Sequence, residues 1–183
     1  MAHRLFIAIR PPEPVRDRLV DAMEGIDGAR WVDDDNLHLT LRFVGEVERP
    51  IANDLAAALG AIRAAPFALT IEGVGHFDKR NRYGARPRAL WARVPRYGEL
   101  YELHAKIERA CHAAGLAPEV RRFTPHITLA RLGPSVGEIG AWLARFGDLK
   151  AGPWQVTEFV LYESHLGHAG AFYEPVTAFG LRD

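Results

Sequence analysis

Apolar and polar residues alternate along this chain with a period that switches between two and about 3.6, so the chain divides into strands and helices. Leu5 to Ile9 reads as a first strand, stopped by Pro11-Pro12. Val15, Leu19, Ala22, Met23 and Ile26 recur at helical spacing and predict a helix over about 13–26, ended by Gly25 and Gly28. Arg30-Trp31-Val32 suits a short strand, and Asp33-Asp34-Asp35-Asn36 a polar turn. Leu37 to Val44 is a strand whose period places His38, Thr40 and Arg42 on one face and Leu39, Leu41 and Phe43 on the other. Pro50 opens a helix that buries Ile51, Leu55, Ala58, Leu59 and Ile62. Phe67 to Val74 and Ala89 to Val94 are strands, with residues 79–88 between them expected as a loop. Tyr97 to Ala114 is a helix capped by Gly115. Val120 to Phe123 and Thr124-Pro125 lead into a strand with His126, Thr128 and Ala130 on one face and Ile127, Leu129 and Arg131 on the other. Ser135 is placed to cap a helix burying Val136, Ile139, Trp142, Leu143 and Phe146, and two strands close the chain at about 154–162 and 172–179. Strands joined by short turns, mixed with four helices, predict an α+β fold with mainly antiparallel sheets.

Two of these strands echo each other. His38-Leu39-Thr40-Leu41-Arg42-Phe43-Val44-Gly45 and His126-Ile127-Thr128-Leu129-Ala130-Arg131-Leu132-Gly133 share His, Thr, Leu and Gly at their first, third, fourth and eighth positions. They lie 88 residues apart, near the middle of each half. The echo reads as an internal duplication in which each half contributes one histidine. No linker or low-complexity tract separates the halves, so residues 1–183 are expected to form a single two-lobed domain.

Composition narrows the chemistry. A hydrophobic fraction of 48% with 25% charged residues is that of a globular protein. With a net charge of zero, any contact with a polyanion must come from a local patch. The single cysteine, Cys111, excludes an intrachain disulfide and a cysteine-based zinc site. No stretch approaches the roughly 18 apolar residues of a membrane span, and a cytoplasmic, monomeric protein without membrane attachment is expected.

A histidine two residues before a threonine on a strand sets an imidazole and a hydroxyl on one face, their Cα atoms roughly 6–7 Å apart. Two such units can converge on one small anion from opposite sides, which suits displacement at phosphorus. One neutral histidine takes a proton from the attacking oxygen, and one protonated histidine gives a proton to the leaving oxygen. The hydroxyls of Thr40 and Thr128, with a nearby arginine, can hold the non-bridging oxygens. This chemistry requires no metal or cofactor. On these grounds alone either histidine can be the acid.

The paired motifs resemble the His-x-Thr-x signatures of the two-histidine phosphoesterase superfamily. Leu41 to Gly45 and Phe123 to Arg131 are similar to its bacterial and archaeal branch, the RNA 2',3'-cyclic phosphodiesterases first named 2'-5' RNA ligases. The likeness extends to the opening strand, to Arg88-Ala89-Leu90-Trp91, and to Ser164, Leu166, Gly170 and Tyr173. It implies a bilobal, pseudo-twofold fold with antiparallel sheets flanking a central cleft and helices on the outer faces. It implies His38 as proton donor and His126 as proton acceptor, with a 2',3'-cyclic phosphate on RNA or a small nucleotide opening to a 2'-phosphomonoester. ATP-independent 2'-5' RNA ligation and RNA or nucleotide binding without turnover are the alternative functions. Arg131 falls where the second motif of the family often carries a phosphate-binding arginine. Strand parity puts it opposite His126 unless the strand bulges or ends first. Arg42 shares the His38 face in a regular strand and is a candidate for substrate binding or for an ion pair.

Outside the motifs, Lys79, Arg80, Arg82, Arg86 and Arg88 form a local cationic excess that can hold an RNA backbone, with Tyr83 available for stacking. Arg121 and Arg122 lie close in sequence to His126 and can add to the same field. His165 and His168 match no metal-ligand spacing and are expected at the surface, and Cys111 and the four tryptophans in the core.

Overall fold

The computed structural model describes residues 1–183. Strand β1 (Ala2–Ile9) is followed by helix α1 (Glu13–Val20), the two-residue strand β2 (Arg30–Trp31) and a 3-10 turn at Asp34–Asn36. The first motif lies at the start of β3 (Leu39–Glu48), which leads into α2 (Arg49–Gly60). Next come β4 (Phe67–Glu72), β5 (Val74–Asn81), β6 (Gly84–Arg93) and α3 (Gly98–Ala113). The second motif forms β7 (His126–Arg131), followed by α4 (Gly140–Phe146), β8 (Lys150–Val156), β9 (Glu158–Gly167) and β10 (Gly170–Gly180).

One antiparallel sheet runs through both halves in the order β10-β9-β1-β3-β7-β6-β5, with β2 added to β7. Strands β4 and β8 form a separate antiparallel pair. The two motif strands meet at a single pair of residues, Leu39 opposite Ile127, and diverge beyond it. The apolar set of the main sheet, including Ile7, Ile9, Leu39, Leu41, Leu90, Ile127 and Leu129, is fully buried and shares one core with the inner faces of α1, α2 and α3. This is the α+β, mainly antiparallel, pseudo-twofold arrangement expected from the sequence.

The two halves repeat in register as well as in order. Ala8 pairs with Thr40, Ile7 with Arg42 and Phe6 with Phe43. In the second half Trp91 pairs with Thr128, Leu90 with Ala130 and Ala89 with Arg131. Each motif strand therefore carries a residue with no partner just after its threonine, Leu41 in the first and Leu129 in the second, and β3 carries another, Val44, beyond Phe43. An extra residue in one strand reverses the facing of the residues that follow it, up to the next irregularity. Three expectations from regular strand parity change as a result. Arg42 turns away from His38 into the buried layer, Phe43 turns out of that layer toward the His38 side, and Arg131 moves to the His126 side.

Arg42 is only 8% exposed. Its Nε lies 2.9 Å from Glu108 of α3 and its Nη1 3.4 Å from Glu119. Its Nη2 donates to the Ala117 carbonyl at 2.6 Å. It is a structural ion pair that pins β3 to α3 and to the segment leading into the second motif, and it is not a substrate-binding residue.

Other boundaries differ for local reasons. Helix α1 stops at Val20, short of the expected 26, and Gly25 and Gly28 both take positive φ in the turns that follow. Helix α4 begins at Gly140, so Ser135 does not cap it, although Ile139 and Trp142 are buried as expected. Residues 79–88 are not a loop. They form the end of the β5–β6 hairpin, whose turn is Arg82-Tyr83, with Tyr83 81% exposed. A two-stranded arm with solvent on both faces needs no apolar alternation, so the pattern concealed it. The final region holds three strands, because β8 and β9 are separate.

Removing Arg42 strands partly buried carboxylates. Arg42→Met should cost about 2–3 kcal/mol, less than the loss for a fully buried pair because both glutamates keep some solvent. That corresponds to a fall in melting temperature of roughly 5–10 °C, measurable by thermal unfolding followed by circular dichroism.

Candidate active site

His38 and His126 are each held by a carbonyl two residues earlier in the chain. The Nδ1–H of His38 donates to the Asn36 carbonyl at 2.6 Å, and that of His126 to the Thr124 carbonyl at 2.6 Å. A carbonyl only accepts, so Nδ1 keeps its hydrogen in both protonation states and Nε2 is the nitrogen that gains or loses a proton. The Asn36 carbonyl is itself fixed, because the Asn36 side chain donates to the Ala171 carbonyl of β10 at 2.9 Å. Main-chain carbonyls carry no side-chain signature, which is why these anchors were invisible in the sequence.

Aromatic rings hold each imidazole from the side. Phe6 lies 5.0 Å and Tyr173 5.2 Å from the His38 ring, centroid to centroid, with Tyr173 edge-on. Tyr162 stacks on Phe6 at 5.2 Å. Around His126, Phe77 stands edge-on at 4.9 Å and Trp91 lies at 6.0 Å. Trp91 was expected in the core, but it is half-buried beside the second histidine. It reaches this position by lying across Gly75 of β5, where any Cβ would collide with its ring. Only glycine there leaves room for the indole.

Thr40 and Thr128 are half-buried and share the faces of Phe6 and Trp91, since strand partners point the same way. Arg131 pairs with Ala89, which pairs in turn with Phe77, so the bulge delivers this arginine to the histidine side of the sheet. Its charge acts on both imidazoles. The structure therefore brings together His38, Thr40, His126, Thr128 and Arg131, and leaves out Arg42. Of the hairpin cations, Arg88 lies over Phe77 at 5.8 Å, and Lys79 and Arg86 are strand partners on the Phe77 face. Arg121 is engaged with Glu119 and is not part of this face. Glu119 is held near a pKa of about 2, first by hydrogen bonds from Arg121 and further by the charge of Arg42. His165 pairs with Glu174 at 3.0 Å, and Cys111 is buried. Concavities of about 260 Å³ around Glu72, Arg93 and Asp148, and of about 460 Å³ around Pro14, Arg18 and Pro153, lie elsewhere, and neither histidine lines them.

The site depresses both histidines. Burial lowers His38 to about 4, against the hydrogen bond to Asn36, with His126 and Arg131 adding repulsion. His126 is also lowered, first by burial and then by Arg131, against the hydrogen bond to Thr124. At neutral pH the free protein therefore holds two neutral imidazoles beside one arginine. An incoming phosphate brings the negative charge that favours protonation of one of them. The arrangement can bind an anion between two proton-transfer groups, and the anion itself sets their charge.

A profile of known phosphoesterases, described as LigT like phosphoesterase, matches the chain twice, over residues 9–86 and 94–173, each match holding one His-x-Thr motif. The chain belongs to this family of two-histidine phosphoesterases. It is 34% identical over 148 residues to the RNA 2',3'-cyclic phosphodiesterase of Aeropyrum pernix, covering 79% of this chain and 82% of that one. It is 31% identical over 183 residues to the protein of that name from Escherichia coli, covering 97% and 96%. The crystal structure of E. coli LigT complexed with 3'-AMP superposes with a TM-score of 0.78 at 27% identity over the full length of both chains. TT0787 of Thermus thermophilus gives 0.77 at 31% identity over 98% of each chain.

A reaction that needs one neutral and one protonated histidine should be starved of the protonated ring at neutral pH in the free protein. The value of kcat/KM should rise as pH falls below 7, and fall again as the second ring protonates toward pH 4. Bound substrate raises both pKa values, so the kcat profile should sit at higher pH than the kcat/KM profile. Rate measurements from pH 4 to 9 check the order of the two curves.

Proposed function

We propose that this protein hydrolyses 2',3'-cyclic phosphates on RNA ends or small nucleotides to 2'-phosphomonoesters, without a metal or other cofactor. The observation that carries the reading is the matched pair of imidazoles, each locked through Nδ1 with Nε2 left to exchange protons, on strands that touch at one residue pair. The relatives named RNA 2',3'-cyclic phosphodiesterase support the same reaction, and favour it over ligation or binding without turnover.

In this reading the cyclic phosphate binds between the two walls of the cleft. Thr40, Thr128 and Arg131 hold the non-bridging oxygens and stabilise the charge that builds at phosphorus. His126, neutral, takes a proton from water as its oxygen attacks in line with the P–O3' bond. His38, protonated, delivers its proton to O3' as that bond breaks. The new P–O bond replaces the broken one, and the phosphate stays on O2'. Either histidine has the geometry for either part. The order follows from the likeness to the family and from the product that it implies. The electrostatics of the free protein oppose that order, since His38 is the ring held to about 4. The substrate's negative charge, next to His38, must overcome this for His38 to act as the acid.

The hairpin cations Lys79, Arg80, Arg82, Arg86 and Arg88 suit the phosphates of a longer substrate, and the one acid beside them, Asp78, is taken up by His76 Nδ1 at 2.8 Å. Salt should then lower kcat/KM more steeply for an oligoribonucleotide with a cyclic end than for a cyclic mononucleotide.

The direct test is incubation with a 2',3'-cyclic nucleotide and identification of the product isomer. The 2'-phosphate is expected, and a 3'-phosphate would reverse the assigned leaving oxygen. His38→Ala and His126→Ala should each lower kcat by roughly 10²-fold or more while leaving the circular dichroism spectrum unchanged. Near-normal rates in both variants would remove the mechanism.

A further inference from the structure

The two carbonyls that anchor the histidines are equivalent in sequence and are held in different ways. Asn36 and Thr124 lie 88 residues apart, at the spacing of the motif repeat. Asn36 sits in the 3-10 turn, where its N–H donates to the Asp33 carbonyl at 2.8 Å and its side chain to the Ala171 carbonyl of β10. Thr124 lies in an irregular segment, residues 117–125, which joins α3 to β7 and makes no backbone–backbone hydrogen bond of its own. The bond from His126 to Thr124 is also exposed, whereas that from His38 to Asn36 is half-buried.

Side chains hold this segment instead. Arg42 donates to the Ala117 carbonyl at its start. At its end the half-buried ring of Phe123, one residue before the anchor, lies flat on the imidazole of His104 at 3.9 Å, with 2° between the planes. Tyr101, three residues earlier on the same face of α3, stands edge-on to Phe123 at 5.3 Å. Pro125, one residue after the anchor, is buried and fixes its own φ. The Thr124 carbonyl is thus bracketed by a held ring on each side. In the first half the position equivalent to Phe123 is Asp35, whose side chain is 90% exposed, so the clamp belongs to the second half alone.

We infer that Phe123, clamped on α3 by His104 and Tyr101, is the positioning residue of His126: it fixes the carbonyl that orients the ring and keeps its hydrogen on Nδ1. The inference rests on the reading of His126 as a proton-transfer group and names what holds it in that state. Phe123 acts through the main chain of Thr124 and not on the substrate. A neutral imidazole released from a fixed acceptor populates both tautomers, and only the one with its hydrogen on Nδ1 offers Nε2 as a base. A ring that only packs would change stability and leave the imidazole as it is, which separates the two roles.

The experiment records the imidazole nitrogen resonances of wild type, Phe123→Ala, His104→Ala and His104→Phe, with His38 as internal reference, together with rates on adenosine 2',3'-cyclic phosphate. In wild type at neutral pH both rings should carry their hydrogen on Nδ1. In Phe123→Ala and His104→Ala, His126 should pass to a mixture of tautomers while His38 keeps its single form. The bond to Thr124 opposes the lowering of His126 by burial, so its loss should also move the titration of His126 to lower pH. In both variants kcat should fall by roughly 10-fold or more, with little change in KM, because the base is used in the transition state. His104→Phe keeps a ring under Phe123 and should keep the tautomer and kcat near wild type. His104→Ala keeps the test decisive if Phe123→Ala fails to fold. A single unchanged tautomer at His126 in these variants would overturn the inference. So would an equal loss at His38, which would make Phe123 a general packing residue. A wild type that leaves the cyclic phosphate intact while the tautomer contrast holds would overturn the functional reading and not this inference.

Discussion

An extra residue at the same place in each motif strand decides what the cleft contains. Leu41 and Leu129 have no partner across their strand pairs, and each reverses the facing of the residues that follow. Without the bulge at Leu129, Arg131 would point into the helix layer as an uncompensated buried cation. Without the one at Leu41, the charge of Arg42 would stand in the cleft, and Glu108 and Glu119 would lose their partner. The bulges let one short strand serve two ends. The residues before them carry proton-transfer chemistry on one face, and those after them complete either the site or the core.

The same geometry accounts for a symmetric framework with an asymmetric content. The symmetric parts are the Nδ1–H hydrogen bonds to main-chain carbonyls, the threonines two residues on, and the aromatic rings around each imidazole. Symmetry suits a phosphorus centre attacked from one side and released on the other. The asymmetric parts are Arg131 against Phe43 and Trp91 against Ala8. A nucleotide is itself asymmetric about its phosphorus. The duplicated frame therefore supplies the reaction, and the residues that departed from the repeat distinguish its two ends.

Much of this was legible in the sequence. The His-x-Thr-Leu echo located both histidines and both threonines, and apolar periodicity located α2, α3 and the buried faces of β1, β3 and β7. Three things were not legible. The bulges leave no mark in composition, so parity misplaced Arg42, Phe43 and Arg131 together. The β5–β6 arm is solvated on both faces and therefore lacks the alternation that marks a half-buried strand. The carbonyl anchors of the histidines depend on main-chain geometry, which any residue type can supply. Trp91 falls between these cases. Its place beside His126 depends on Gly75 on the neighbouring strand, a pairing that becomes visible only once the register is known.

The central claim is that two histidines from the two halves act on one anion. Nuclear magnetic resonance of the imidazole protons, during titration with inorganic phosphate, tests it most directly. His38 and His126 should shift together with one dissociation constant, and the pKa of each should rise on binding from a value below the ordinary 6.5. A response from only one of the two rings, or two separate dissociation constants, would contradict a shared site.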